Sequence, residues 1–364
     1  MKIQEVVTYL DNLIPLGFQE SYDNAGLQVG NPDSEVRGVL ISIDLTPAVI
    51  EEAKEKGCNL IVTHHPFIFS GIKKINNATP TGKMVYELIR SDIAVYSSHT
   101  NLDKMNTGVS AILADHLGLS DLRVLVPEEN SLKQLVVYCP KAESSSLRDA
   151  LYAAGAGNIG NYRHCSYSVL GNGTFEPLMG ANPFVGSVGN ETVTEEERVE
   201  MIYPKALEKA VIKSLKANHP YEEPAYSLLP LTNVNAYMGF GMIGQLSESQ
   251  DVVPFLKKVK NILELPLVRH SALCFDKVKT VAVCGGAGAS FIDVAVTQKA
   301  DIYLTGDLKY HDFQKASGRI VIADIGHYES ERFAKEYFYE KISKKFSTFA
   351  VQVSSENTNY VSYM

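Results

Sequence analysis

The 364-residue chain has only five cysteines, Cys58, Cys139, Cys165, Cys274 and Cys284, and no two of them form a C-x-x-C pair. An odd, scattered set excludes a disulfide framework or zinc ribbon and predicts a reducing, cytoplasmic setting. Long apolar runs are also missing. Stretches such as Val39–Ile43 and Val281–Cys284 fall far short of the ~20 residues a membrane span requires, so no membrane contact is expected. Glu5 and Asp11 interrupt the apolar residues of the N-terminus, which predicts no secretory signal. Positive charge is in deficit, with 34 Lys and Arg against 42 Asp and Glu, a net charge of −8. That field repels polyanions and disfavours nucleic acid as a partner, and the runs Lys257–Lys260 and Lys341–Lys345 read as solvated helix faces. There is no G-x-S-x-G elbow, P-loop or dinucleotide fingerprint to support acyl transfer or nucleotide cradling by a known loop. Cys284-Gly-Gly-Ala-Gly288-Ala-Ser290 lacks the required spacing and reads as a tight strand-to-helix turn.

What is present is a globular balance, 45% hydrophobic and 21% charged, over a length that allows two or three domains. Ile3, Val6, Val7, Leu10, Leu13 and Ile14 recur at helical spacing. Val39–Asp44, Leu60–Thr63 and Ile93–Ser98 read as strands alternating with helices Pro47–Lys56, Thr81–Arg90 and Thr107–His116. Such alternation predicts an α/β unit with a largely parallel sheet. The same grammar resumes after residue 237, with strands Val278–Cys284, Ile302–Leu304 and Ile320–Ile325 and helices Ser290–Gln298 and Ser330–Lys341. Residues 127–236 differ, running in the order βαββαβ, which builds a ferredoxin-like α+β sandwich. The expected fold is therefore a two-part α/β metal-binding core, residues 1–126 and 237–364, interrupted by an inserted domain at 127–236.

Four of the predicted strands end in polar clusters: Thr63-His64-His65-Pro66, Ser98-His99-Thr-Asn-Leu-Asp103, Thr305-Gly-Asp307-Leu-Lys-Tyr-His311 and Gly326-His327-Tyr-Glu-Ser-Glu331. Ligands bind at the carboxyl ends of strands in open α/β sheets, so these ends are expected to converge on one crevice. Imidazoles mixed with carboxylates suit Zn, Fe, Mn, Co or Ni. His327 and Glu331 share a helical face at i, i+4. A bend before Pro66 would let both His64 and His65 reach inward, and Asp103 completes a set of three imidazoles and two carboxylates, enough for two divalent ions. His116, His164, His219 and His270 lack such surroundings and read as ordinary structural histidines.

These segments, with Asp23-Asn-Ala-Gly-Leu27 and Gly285-Gly-Ala-Gly288, resemble the NGG-interacting-factor-three-like family, whose members are named type 2 GTP cyclohydrolase I homologues. The resemblance spans nearly the whole chain. It extends to the PII/CutA-like insert of the longer members through Gly155–Tyr162, Gly173–Pro177 and His219–Tyr226. It implies that His64, His65, Asp103, His327 and Glu331 bind a pair of divalent metal ions, and that the chains assemble as a toroidal homohexamer. The activity expected is metal-dependent hydrolysis of a small, nucleotide-like substrate, with His99 and His311 as proton carriers or as partners that hold the ligands in place. For a GTP cyclohydrolase reaction, water would attack the purine carbon between the two imidazole-ring nitrogens and formate would leave. The alternative is a metal-binding regulatory or scaffold protein whose PII-like insert senses a ligand without catalysis.

Overall fold

The structure is a computed structural model and describes residues 1–364. The chain forms two compact units, one from residues 1–127 and 236–364, the other from 128–235. These limits fall one residue from the expected boundaries. The strands before the middle unit are β1 (Gly26–Val29), β2 (Gly38–Ser42), β3 (Leu60–Thr63), β4 (Ala94–Ser97) and β5 (Ser120–Glu128). Within it lie β6 (Leu132–Pro140), β7 (Tyr167–Phe175), β8 (Thr192–Pro204) and β9 (Tyr226–Leu231). After it come β10 (Asn235–Asp251), β11 (Arg269–His270), β12 (Lys277–Ala287), β13 (Ile302–Gly306), β14 (Val321–Asp324) and β15 (Ala350–Val353).

The larger unit has two sheets, ordered β1-β4-β3-β2-β15 and β11-β14-β13-β12-β10-β5. In the first, β15, β2, β3 and β4 run parallel and β1 closes the edge antiparallel. In the second, β12, β13 and β14 are parallel, flanked by antiparallel β10 and β11. The parallel strands are continuous apolar runs with every residue of β2, β3, β4, β13 and β14 buried, as expected where helices cover both faces. Their helices start at chemical stops: Thr46 and Thr79 accept hydrogen bonds from Val49 and Gly82, each followed by a proline in the first turn.

Five strands escaped the sequence reading: β1, β5, β10, β11 and β15. Most are edge or second-row strands with half-exposed, alternating or very short patterns. They also lace the two parts together, since β15 pairs with β2 near the other end of the chain and β5 joins the sheet of β12–β14. The helix expected at Ser330–Lys341 is two helices, His327–Glu331 and Ala334–Lys345, and that expected at Ser290–Gln298 shortens to Ile292–Thr297 after a single 3₁₀ turn.

In the middle unit the four strands form one antiparallel sheet, β7-β8-β6-β9. Leu147 and Leu151 of helix Ser144–Ala153 and Val211 and Leu215 of helix Glu208–Asn218 share a core with Leu135, Val137, Val199, Met201 and Tyr203 of the sheet. Both helices therefore cover the same face, and the alternate residues of β8 face away from them.

Candidate metal centre

The carboxyl ends of parallel strands from both sheets of the larger unit meet in one place. After β3, the Ile43 carbonyl accepts hydrogen bonds from the backbone N–H of both His64 (3.2 Å) and His65 (3.0 Å). This double contact bends the chain so that neighbouring side chains, which would alternate in a strand, serve one centre. His64 and His65 lie with ring centroids 5.1 Å apart.

Each of the three imidazoles has its Nδ1 claimed from outside and turns Nε2 inward. His64 Nδ1 lies 2.9 Å from the Ser98 carbonyl oxygen, His65 Nδ1 2.7 Å from Asp44 Oδ1 and His327 Nδ1 2.7 Å from Asp307 Oδ2. The Glu331 carboxylate sits among the inward nitrogens, 2.8 Å from His65, 3.1 Å from His327 and 3.8 Å from His64. His65 and His327 bring Nε2 to within 3.3 Å of each other. Asp103, at the end of the short helix Thr100–Asp103, places Oδ1 3.4 Å from His64 Nε2. Thus all five residues singled out in the sequence come together.

Two of their atoms, His64 Nε2 and Asp103 Oδ1, are buried without a hydrogen-bond partner. A buried polar atom left unmet costs ~1–3 kcal/mol, so a pair of them aimed at one point fits a cation that would meet both. His64, His65 and Glu331 alone offer three ligand atoms within 4.8 Å of one another. Imidazole nitrogens oriented by carboxylates or a carbonyl, with oxygen ligands opposite, suit a divalent transition metal.

The electrostatics are those of a site built for positive charge. Burial works against the charged forms of His65 and His327, yet hydrogen bonds donated to the Asp44 and Glu331 carboxylates lift His65 to about 10, and those donated to Asp307 and Glu331 lift His327 to about 11. Burial would raise Glu331, but hydrogen bonds from His327 and His65 and the proximity of His64 hold it well below the carboxylate range. Asp103 moves up instead, through burial first and then the neighbouring Glu331 charge. Buried Cys284 nearby is pushed up to about 12, chiefly by burial and then by the Asp103 charge, so it stays a thiol.

His99 stands beside the centre, its ring 5.5 Å from His64 and 5.6 Å from His65, with Nδ1 2.9 Å from Asp23 Oδ1. His311 does not join it. It is exposed on helix Tyr310–Gln314, bonded to Gln314 and edge-on to Tyr310. The contribution of that strand end is Asp307, which turns back toward His327 in a left-handed conformation (φ 56°) directly after β13. Four residues later the chain is already on a surface helix, so the expected role of His311 as a proton carrier is corrected.

The sequence reading missed the orienting residues Asp23, Asp44 and Asp307. Asp23 and Asp307 lay within the quoted motifs, and Asp44 follows β2 as the histidines follow their strands, but nothing local says which ring each carboxylate will face. The glycine segment after Cys284 is also explained. Gly286 has φ +64°, and a Cβ there would lie 2.2 Å from Glu331 Oε1. Its N–H donates to Ser330, and those of Gly285 and Gly288 donate to Ser110 and Thr305. The strand runs on through Gly285 and Gly286 to Ala287 with a bulge where a turn was expected; this segment makes room for Glu331 and has these three N–H groups engaged, so it is no phosphate cradle.

A cavity of about 440 Å³ opens against His65 and His327, walled by Leu267, Arg269, Tyr328, Tyr360 and Tyr363. Its outer wall is the C-terminal segment, which Thr358 ties to Asp44 Oδ2 (3.0 Å) and Asn359 to Glu329 (2.9 Å).

Residues 1–360 match the family model for Duf34/NIF3 (NGG1p interacting factor 3). A Bacillus subtilis protein named GTP cyclohydrolase 1 type 2 homolog is 38% identical, covering 99% of this chain and 98% of its own. A Staphylococcus aureus protein of the same name is 33% identical over the full length of both. The crystal structure of a Bacillus cereus protein related to NIF3, 36% identical, superposes with a TM-score of 0.84 over 100% of this chain and 99% of its own. With the match running from end to end, the chain belongs to the Duf34/NIF3 family.

Proposed function

We propose that the protein is a divalent-metal-dependent hydrolase of a small, nucleotide-like substrate, in which His64, His65, Asp103, His327 and Glu331 hold two divalent ions (Zn, Fe, Mn, Co or Ni). The observation that carries this reading is the pair of unmet buried atoms, His64 Nε2 and Asp103 Oδ1, beside the Glu331 carboxylate. Two ions bound there would supply Lewis-acid charge that polarises an electrophile and acidifies water. The chain's own residues do the rest. Asp44, Asp307 and the Ser98 carbonyl hold the imidazoles with Nε2 inward. His99, oriented by Asp23, is placed to move a proton at the rim of the centre. The adjoining cavity is of a size that takes a nucleoside-like molecule. The relatives' names support a GTP cyclohydrolase type 2 homologue. We further read the middle unit as a ferredoxin-like, PII/CutA-like insert, from its βαββαβ order and strand order, and expect a toroidal homohexamer in the cytoplasm.

Elemental analysis of the purified protein tests the first step, with up to two ions per chain expected. Glu331→Gln should lower that content while His270→Ala, bonded only locally, leaves it unchanged; equal content in the two variants would sink the ligand assignment. For the reaction, the metal-loaded protein is offered a panel of nucleotides and phosphoesters. Turnover should vanish on metal stripping, and His99→Ala should keep the metal while losing about 10²–10⁴-fold in rate.

A further inference from the structure

One cavity outside the metal centre belongs wholly to the middle unit. It is a cavity of about 550 Å³ on the helix-free face of the sheet, comparable to sites that hold ligands of drug size. Its floor is shaped by what is missing. Gly171 and Gly173 of β7 lie opposite Glu196 and Thr194 of β8, so two side chains are absent from one face of a strand. A Cβ on Gly171 would meet nothing within 4 Å, whereas one on Gly173 would lie 2.3 Å from Glu196 Oε2. Glycines so placed mark close approach by another group or open space for one; here Gly173 seats the carboxylate and Gly171 leaves room beside it.

Glu196 is 8% exposed, and its Oε1 accepts a hydrogen bond from Tyr221 Oη at 2.7 Å. Around it stand Phe175 and Phe184, with ring centroids 6.1 and 6.3 Å from Tyr221, and Tyr138 lines the same space. The lining carries three carboxylates, Glu196, Glu222 and Glu223, against one guanidinium, Arg198, which is paired with Glu200 at 2.9 Å. Aromatic faces and a desolvated carboxylate both favour positive charge on an apolar body.

We propose that this cavity binds a small organic cation, an ammonium group carried on a ring or short alkyl body, with the ammonium at Glu196 and the body among Phe175, Phe184 and Tyr221. The site is separate from the metal centre and does not rest on it.

Three probes of the same ring and differing charge test it on the full chain: phenethylammonium, 2-phenylethanol and phenylacetate, titrated by ligand-observed NMR. The cation should bind at least about tenfold more tightly than phenylacetate. Glu196→Gln, which keeps size and can still accept from Tyr221, should erase that preference. Gly171→Val suits a strand and fills the open space, so it should weaken the cation at least about tenfold with the thermal transition unchanged. Equal binding of the three probes, or undiminished binding by Gly171→Val, overturns the proposal. So does absence of probe binding together with a shift in sedimentation on Gly171→Val, which would make the cavity an interface with a second copy of the chain.

Discussion

Asp44 joins the proposed metal centre to the C-terminal segment, with one oxygen on His65 Nδ1 and the other on Thr358 Oγ1. Removing a carboxylate that orients a ligand imidazole typically costs 10–100-fold in metal affinity. Asp44→Asn should therefore weaken binding by about that factor, and Thr358→Val by less, both read by competition with a chromophoric chelator; affinities equal to the parent would show that the carboxylate does not position His65. Proton competition gives a second test. The metal-free rings of His65 and His327, raised to about 10 and about 11, carry protons at neutral pH, and a metal must displace them. Affinity should thus climb with pH between 6 and 9, about tenfold per unit for each proton released. Calorimetry in buffers of differing ionisation heat counts those protons, and a pH-independent affinity would contradict the arrangement.

Two short elements shape the surroundings of the centre. The bulged end of β12 seats Glu331 against Gly286, whose positive φ and missing Cβ are both required. Gly286→Ala should destabilise the fold by about 1–3 kcal/mol and lower metal content, because the methyl occupies the place of Glu331 Oε1. Thermal unfolding and elemental analysis measure the two losses. The segment after β15 is held by Glu52, which is buried on helix Pro47–Glu55 and accepts hydrogen bonds from Ser354, from the Ser355 backbone and hydroxyl, and from Lys56. Burial opposes its charge, but these donors lower it from 4.5 to about 2. The folded carboxyl lies below its unfolded value, so this stabilisation is complete above pH ~4.5 and fades as pH falls toward ~2, amounting to about 1–3 kcal/mol. Glu52→Gln should lower the melting temperature at pH 7 and flatten the acid limb of the stability curve. An unchanged acid limb would show that the clamp contributes nothing.

At the scale of the molecule, the chain leaves the larger unit at the end of β5 and returns at the start of β10, neighbouring strands of one sheet. An insert whose ends lie side by side can be excised with a short bridge. Replacing residues 129–234 by a short Gly/Ser linker should leave a core that unfolds cooperatively and binds metal, since no proposed ligand lies in that range. Differential scanning calorimetry and metal analysis decide, and loss of both properties would make the middle unit integral to the fold of the larger one.

Local order along the chain was legible because it is written at short range. The helical spacing of Ile3 to Leu13, the buried runs of β2, β3 and β4 and the polar ends of four strands are each set by a few adjacent residues. So was the set His64, His65, Asp103, His327 and Glu331, because ligand chemistry concentrates where strands end. Only tertiary structure decided the rest. That β15 pairs with β2 and β5 with the sheet of β12–β14 depends on contacts between distant segments, and those strands carry weak apolar patterns. That Asp44, Asp307 and Asp23 each face a particular imidazole, that His311 sits on a surface helix while Asp307 turns to His327, and that Gly286 is vacated for Glu331 follow from the same cause. His65 and Glu331 are 266 residues apart and 2.8 Å from each other; sequence pattern encodes which residues have the chemistry to meet an ion, and the packing of two sheets selects which ones come together.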